Sequence, residues 1–380
     1  MEVAYILIID EKIISPILVQ MAFNHHIPIY YTDDERSLAL TQSTKLLTNS
    51  ESCLSLLERK APDHAHSKAS QLVKNKARFR EISASINQDY FFRLLSLDEL
   101  LHLEKDTVPF PVVIKPNKGY SSVGVYIVKN EHEWEQAVQG LYSDLLLSEG
   151  MYSDTVIDSE QIIIEEWIDG TEFALDCYFD DAGEPVILNA LKRRFLDDQD
   201  TSDRIYFTSA QVIDEIHADA VKYLRSLNKR LNFTNYPFHI EIRKSTKGIV
   251  PIEMNPLRFA GAGTTDVSYY AYDINAAEAY FLNEQPDWKP LIERNDPAIY
   301  GFFCAEVPTQ ISKSLIEDIH HEQLKQEFSE VLEYRVIDSA SDRAFAVIFF
   351  KTTSLAELDY LVNLDLESYI ELKKVKETIK

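Results

Sequence analysis

The chain has 380 residues, 45% of them apolar and 26% charged, the profile of a soluble globular protein of about two to three domains. Its formal net charge of -24 excludes a sequence-independent grip on nucleic acid, which needs a basic footprint, but leaves a small phosphate ligand open if cations are gathered locally. Cys53, Cys177 and Cys304 fit neither a zinc spacing nor a disulfide framework, and the apolar run Val3 to Ile9 is too short for a membrane span and lacks a signal peptide's flanks, so a cytoplasmic setting is expected.

In chain order, a strand at 3–9, an amphipathic helix at 13–25 and a strand from Ile27 to Tyr31 predict a βαβ opening of parallel, Rossmann-like type. Asp10-Glu11-Lys12 stands where a dinucleotide fingerprint would have glycines. Residues 66–104 read as a polar, helical connector, with its domain limits at 73–104. Phe110 to Val128 reads as strand, glycine turn, strand, followed by a helix from about Glu131 and a weakly patterned stretch near 140–160. Ile162 to Ile168 is an apolar strand, and Glu172 to Phe179 with Pro185 to Lys192 makes a hairpin around Asp180-Asp181-Ala182-Gly183. An acidic run, Asp197 to Asp203, reads as a solvated loop, and a helix follows from about Ser209 to Leu227. The last ninety residues or so hold strands at Ile299 to Val307 and Arg343 to Lys351.

The densest chemistry lies in Phe238-His239-Ile240-Glu241-Ile242-Arg243 and Ile249-Val250-Pro251-Ile252-Glu253-Met254-Asn255-Pro256. Side chains alternate across a strand, so Phe238, Ile240 and Ile242 face one way and His239, Glu241 and Arg243 the other. In the second strand Val250, Ile252 and Met254 oppose Glu253 and Asn255. A hairpin turning at Gly248 then gathers Glu241, Glu253 and Asn255 on one polar surface, the oxygen set that suits a hard divalent cation. Taken alone, the same pattern is the solvated face of an ordinary hairpin. His239 shares that face, either touching phosphate or orienting Glu241. Upstream, Lys115 ends the β-branched run Val112-Val113-Ile114, an expensive place for a lysine unless it meets an anion. The turn after it, Asn117 to Val125, has glycines and Ser121-Ser122 that can close over phosphates or simply turn a hairpin.

The succession of strand-lysine, glycine-rich loop, Ile164-Glu165-Glu166-Trp167-Ile168, Gly170-Thr171-Glu172-Phe173, His-x-Glu strand and Pro-Ile-Glu-Met-Asn-Pro strand resembles the ATP-grasp superfamily over roughly residues 70–285. The resemblance implies an α/β protein of α+β lobes, the ATP-grasp fold, with an N-terminal Rossmann-like domain at 1–72. It places a small lobe with its lid at 105–168, a large lobe with the metal site at 169–290, and a segment completing that lobe at 291–380. It also implies that Lys76 and Lys115 bind phosphates, that Ser121 and Ser122 form the lid, and that Glu165, Glu166 and Ile168 line an adenine pocket, the latter two through main-chain groups. Glu172 would hold the ribose, and Glu241, Glu253 and Asn255 would hold Mg²⁺, with Mn²⁺ as an alternative. Lys192 and Arg258 are candidates to reach the γ-phosphate or the activated carboxylate.

The implied activity joins a small carboxylate to an amine, amino acids among the candidates, through an acyl phosphate with release of ADP and phosphate. A kinase, a thiol ligase and a non-catalytic nucleotide-binding protein are the alternatives. No nucleic-acid or membrane partner is expected, and oligomeric state stays open, a homodimer included. The loop Asn255 to Asp266 departs from the short loops of many relatives, so acceptor preference is not carried over.

Overall fold

The computed structural model describes residues 4–88, 90–119, 124–148, 160–197, 200, 202–294, 296–308, 310–338 and 343–373. Its N-terminal strands β1 (Tyr5–Ile9) and β2 (Ile29–Tyr31) run parallel, joined by the helix Pro16–Asn24. Ser15 caps that helix, its hydroxyl accepting from the Leu18 N–H at 3.2 Å, and Pro16 begins it where no intrahelical N–H is needed. A third strand, β3 (Lys45–Thr48), which the apolar pattern did not predict, flanks β1 on its other side.

The expected helical connector is only half helical. Helices Ala65–Lys74 and Lys76–Ser83 occupy its first part, but Phe92–Ser96 is a strand, β4. It belongs to a four-stranded sheet with β5 (Val112–Pro116), β6 (Tyr126–Val128) and β7 (Gln161–Glu166), in the order β4-β7-β5-β6. β4 is half-buried along its length and shows no clean alternation, and it becomes a strand by pairing with the buried Ile162 to Ile164 row. The helix Trp134–Ser148 lays Trp134, Val138, Leu141 and Leu145 against Val112, Ile114 and Ile164 of this sheet. Ser121, Ser122 and residues 149–159 lie outside the described residues.

An eight-stranded antiparallel sheet dominates the remainder. It contains β8 (Thr171–Phe179), β9 (Pro185–Arg194), β10 (Ile205–Thr208), β11 (Tyr236–Ser245), β12 (Gly248–Pro256) and β13 (Ile299–Glu306). β14 (Ile316–Ile319) pairs off in a ribbon with β17 (Ile370–Leu372), while β15 (Glu330–Val336) and β16 (Ala344–Thr352) complete the large sheet in the order β12-β11-β8-β9-β10-β13-β16-β15. β10 follows the acidic run Asp197 to Asp203.

The helix Ala210–Leu231 decides which face of this sheet is open. Ile213, Ile216, Leu224 and Leu227 are buried in one core with Phe238, Ile240, Ile242 and Met254. Burying each such side chain is worth about 1.5–3 kcal/mol, so the phase of β11 is strongly held. His239, Glu241 and Arg243 therefore point away from the helix, into a cavity. A bulge modifies the partner strand: Glu241 faces Glu253 but Ile242 faces Pro251, and the extra residue, Ile252, lines the cavity instead of following Met254 into the core.

Candidate nucleotide and metal site

A cavity of about 400 Å³ lies between the two larger sheets and the N-terminal strands. Register builds its floor in rows. Across β8, β11 and β12, Asp176 faces His239, which faces Asn255; Ala174 faces Glu241, which faces Glu253; and Glu172 faces Arg243.

The floor acids differ in their commitments. Glu172 is buried and gripped by two arginines, Arg193 at 3.2 Å and Arg243 at 3.0 Å. Glu253 accepts from the Asn255 amide at 3.1 Å and pairs with Lys76 at 3.1 Å. Burial works against its charge, but Lys76, Lys115 and Lys74 outweigh that and hold the carboxyl well below its usual range. Glu241 takes no hydrogen bond from the described residues and has His239 Nε2 at 3.7 Å as its ion-pair partner. Burial and the neighbouring Glu253 raise its carboxyl. Burial also opposes a charge on His239, yet Asp176 and Glu241 prevail and raise the imidazole to about 9.

The wall from the small sheet is cationic. Lys115 Nζ and Arg80 Nε both reach Glu165, at 2.6 Å and 2.5 Å, and all three residues are buried. Burial raises the Glu165 carboxyl, but the two cations dominate and bring it down to about 2. Burial lowers Lys115. Arg80 also donates to the carbonyls of Pro251 and Ile252, tying the helix Lys76–Ser83 to the floor strand β12. From the N-terminal region, Glu51 pairs with Lys74 and, at 3.0 Å, with Arg258, whose guanidinium burial pushes down and whose Nε has no partner.

Most of the expected residues meet here: Lys76, Lys115, Glu165, Glu166, Ile168, Glu172, Glu241, Glu253 and Arg258 all line the cavity. Asn255 sits behind Glu253, buried, holding its carboxylate. Lys192 does not line it. Its ammonium reaches Glu215 of the helix Ala210–Leu231 at 2.5 Å, and its neighbour Arg193 faces inward, because adjacent residues of a strand point to opposite sides. The expected role of Glu166 also changes. Its N–H donates to Phe91, its carbonyl accepts from the Tyr90 hydroxyl at 2.8 Å, and the Ile168 carbonyl accepts from Arg243 at 2.8 Å. The Trp167 carbonyl and the Ile168 N–H are the groups there with no hydrogen-bond partner among the described residues. Glu172, with both oxygens on arginines, does not stand open for a ribose in this arrangement.

Arg80, Arg193, Glu51 and Asp176 were missed. None sits in a readable motif, although an arginine two residues from Leu191 in an apolar strand was a usable signal for Arg193.

Residues 108–266 match the ATP-grasp domain family. The chain carries an ATP-grasp domain. Outside it the likeness continues in shape: an L-amino acid ligase from Bacillus licheniformis superposes with a TM-score of 0.67 over 98% of this chain and 99% of that one, at 18% identity. The biotin carboxylase domain of Hydrogenobacter thermophilus 2-oxoglutarate carboxylase, solved with MgADP and bicarbonate, gives 0.59 over 97% and 90%, at 14% identity. In sequence, a D-alanine–D-alanine ligase from Pediococcus pentosaceus is 27% identical over 172 residues, 44% of this chain and 43% of that protein. This chain thus matches less than half the length of that curated relative.

The donor set limits which divalent ion the floor can hold. No group of three or more His, Cys, Asp and Glu among the described residues could hold a metal unaided. Two opposed carboxylates and an amide remain, which suits an ion that takes part of its shell from water and nucleotide phosphates, as Mg²⁺ does, and not one needing an all-protein cage. Among the described residues no helix is long and apolar enough to cross a membrane.

Proposed function

We propose that this protein is an ATP- and Mg²⁺-dependent carboxylate–amine ligase working through an acyl phosphate. The observation that carries the reading is the placement of Glu241 opposite Glu253 on the floor, facing Lys76 and Lys115 across one cavity. The family match and the full-length likeness to an L-amino acid ligase support it.

The purine slots between Val113, Ile127 and Trp167, reading the Trp167 carbonyl and Ile168 N–H as acceptor and donor. Lys76, which pairs with Glu253 at 3.1 Å, and Lys115 would hold phosphate oxygens. Mg²⁺ would be held by Glu241 and Glu253, with Asn255 steadying the Glu253 carboxylate from behind, and would supply charge neutralisation between triphosphate and substrate carboxylate. A substrate carboxylate oxygen bonds to the γ-phosphorus as the bond to ADP breaks; the amine then bonds to the acyl carbon, phosphate leaves and the amine's proton is lost. Arg258, paired with Glu51 of the N-terminal region, steers the acid. Fixed charges of this kind cost no reorganisation during reaction. Amino acids are the substrate class proposed, following the L-amino acid ligase and the D-alanine–D-alanine ligase among the similar proteins.

The test is phosphate release from ATP with pooled amino acids and small acids. Release that rises on adding one acid and one amine together is the expected result. ADP formed without free phosphate would make the protein a kinase, and a thiol acceptor replacing the amine would make it a thiol ligase.

A further inference from the structure

One group on the floor has no part in that scheme. His239 is buried in the middle of β11, flanked by Asp176 on β8 and Asn255 on β12 in the same cross-strand row. Its Nδ1 lies 2.8 Å from Asp176 Oδ1, and that same oxygen accepts the Ala260 N–H at 2.7 Å. Asp176 is wholly buried and its other oxygen meets the Asn189 amide at 3.3 Å. One carboxylate therefore fixes both the imidazole ring and the start of the loop that follows the metal strand. With Nδ1 donating to Asp176, the ring has a single orientation, and Nε2 is aimed along the strand at Glu241 Oε1, 3.7 Å away. At that distance the contact is electrostatic and not a hydrogen bond. It matters because the Glu241 carboxylate, alone among the floor acids, has no hydrogen bond to any described residue, so no other described side chain sets its direction.

We infer that His239, clamped by Asp176, is a positioning residue that aims the Glu241 carboxylate into the metal site and keeps it in step with the loop from Ala260. The inference rests on the ligase reading only in taking Glu241 for a metal ligand. Partners one step behind a ligand typically change metal affinity by about 10–100-fold when removed.

The two ring nitrogens can be separated. His239→Asn retains a donor for Asp176 and removes the atom facing Glu241; His239→Gln reaches toward Glu241 and gives up the clamp. Mn²⁺ is titrated into the full chain with a non-hydrolysable ATP analogue, free Mn²⁺ being read by paramagnetic resonance. Expected are a weakening of about tenfold or more in His239→Asn, partial recovery in His239→Gln, and analogue binding without metal changed less than about twofold in both. In Glu241→Gln, adding His239→Asn should weaken Mn²⁺ no further, since the histidine acts through that carboxylate. Unchanged Mn²⁺ affinity in His239→Asn, or additive losses in the double variant, would overturn the inference. Wild-type protein that binds Mn²⁺ with the analogue yet releases no phosphate with any acid and amine sinks the ligase reading and leaves His239 in place; wild-type protein that binds no Mn²⁺ sinks both.

Discussion

Glu165 on the wall of the cavity and the facing pair Glu241 and Glu253 on its floor put their charge to opposite uses. On the wall, Glu165 is held by Lys115 and Arg80, all of its charge spent on fixing those cations. On the floor, Glu241 has one distant partner and Glu253 shares a lysine that has another use. A pair of buried opposite charges in good geometry is a shape-holding device, and breaking it leaves an uncompensated charge. A carboxylate left without donors is available to an incoming cation. The wall thus presents fixed positive charge, and Glu241 opposite Glu253 presents the less committed carboxylates, the two complements that a metal–nucleotide complex requires.

The largest expected effect tests the wall. Arg80→Ala removes one cation from Glu165 and cuts the bonds to the Pro251 and Ile252 carbonyls, so stability should fall by about 3–5 kcal/mol, read by chemical denaturation. A loss below about 1 kcal/mol would place Arg80 among dispensable contacts and erase the contrast. The floor should behave differently. Glu241→Gln and Glu253→Gln are expected to lower metal-dependent ATP turnover by about 100-fold or more while the melting temperature shifts by only a few degrees, since neither carboxylate is locked in place by a matched pair of cations. A third contrast lies within one strand. Arg193→Ala should raise the KM for ATP by about tenfold, a loss near 1.4 kcal/mol, and Lys192→Ala should leave it within about twofold, because only the arginine faces the cavity. Equal effects would mean that Arg193 and Lys192 do not lie on opposite faces of β9.

A further effect lies outside the cavity. His66 is buried against the Tyr236 ring with its Nε2 unpaired, and burial, helped by His64, lowers it from 6.5 to about 4. The unfolded chain binds that proton first, so the stability present above pH 6.5 is lost as pH falls toward about 4, at up to about 1.4 kcal/mol per pH unit from this group. His66→Phe keeps the ring contact and should flatten the stability curve relative to wild type across that window alone. Parallel curves for the two proteins would show that His66 does not titrate there.

Local pattern was enough for the alternating faces of β11 and β12, for Lys115 at the end of a β-branched strand and for the order of the motifs, because strand periodicity and turn chemistry are written in adjacent residues. It was not enough for β4, whose pattern is weak until β7 stands beside it, nor for Ile252, which a bulge turns toward the cavity. Arg193 went unremarked beside Lys192 for a related reason: the phase of β9 sets which of two adjacent basic residues faces the cavity, and packing of the helix Ala210–Leu231 puts Lys192 outside. Arg80, Glu51 and Asp176 become meaningful through partners 85, 207 and 63 positions away. The chain's own order of residues determined which segments would be strands and which acids could share a face. Tertiary structure alone decided which charges are already matched and which are left for a ligand, because a charge is paired by what lies across space from it and not by what precedes it in the chain.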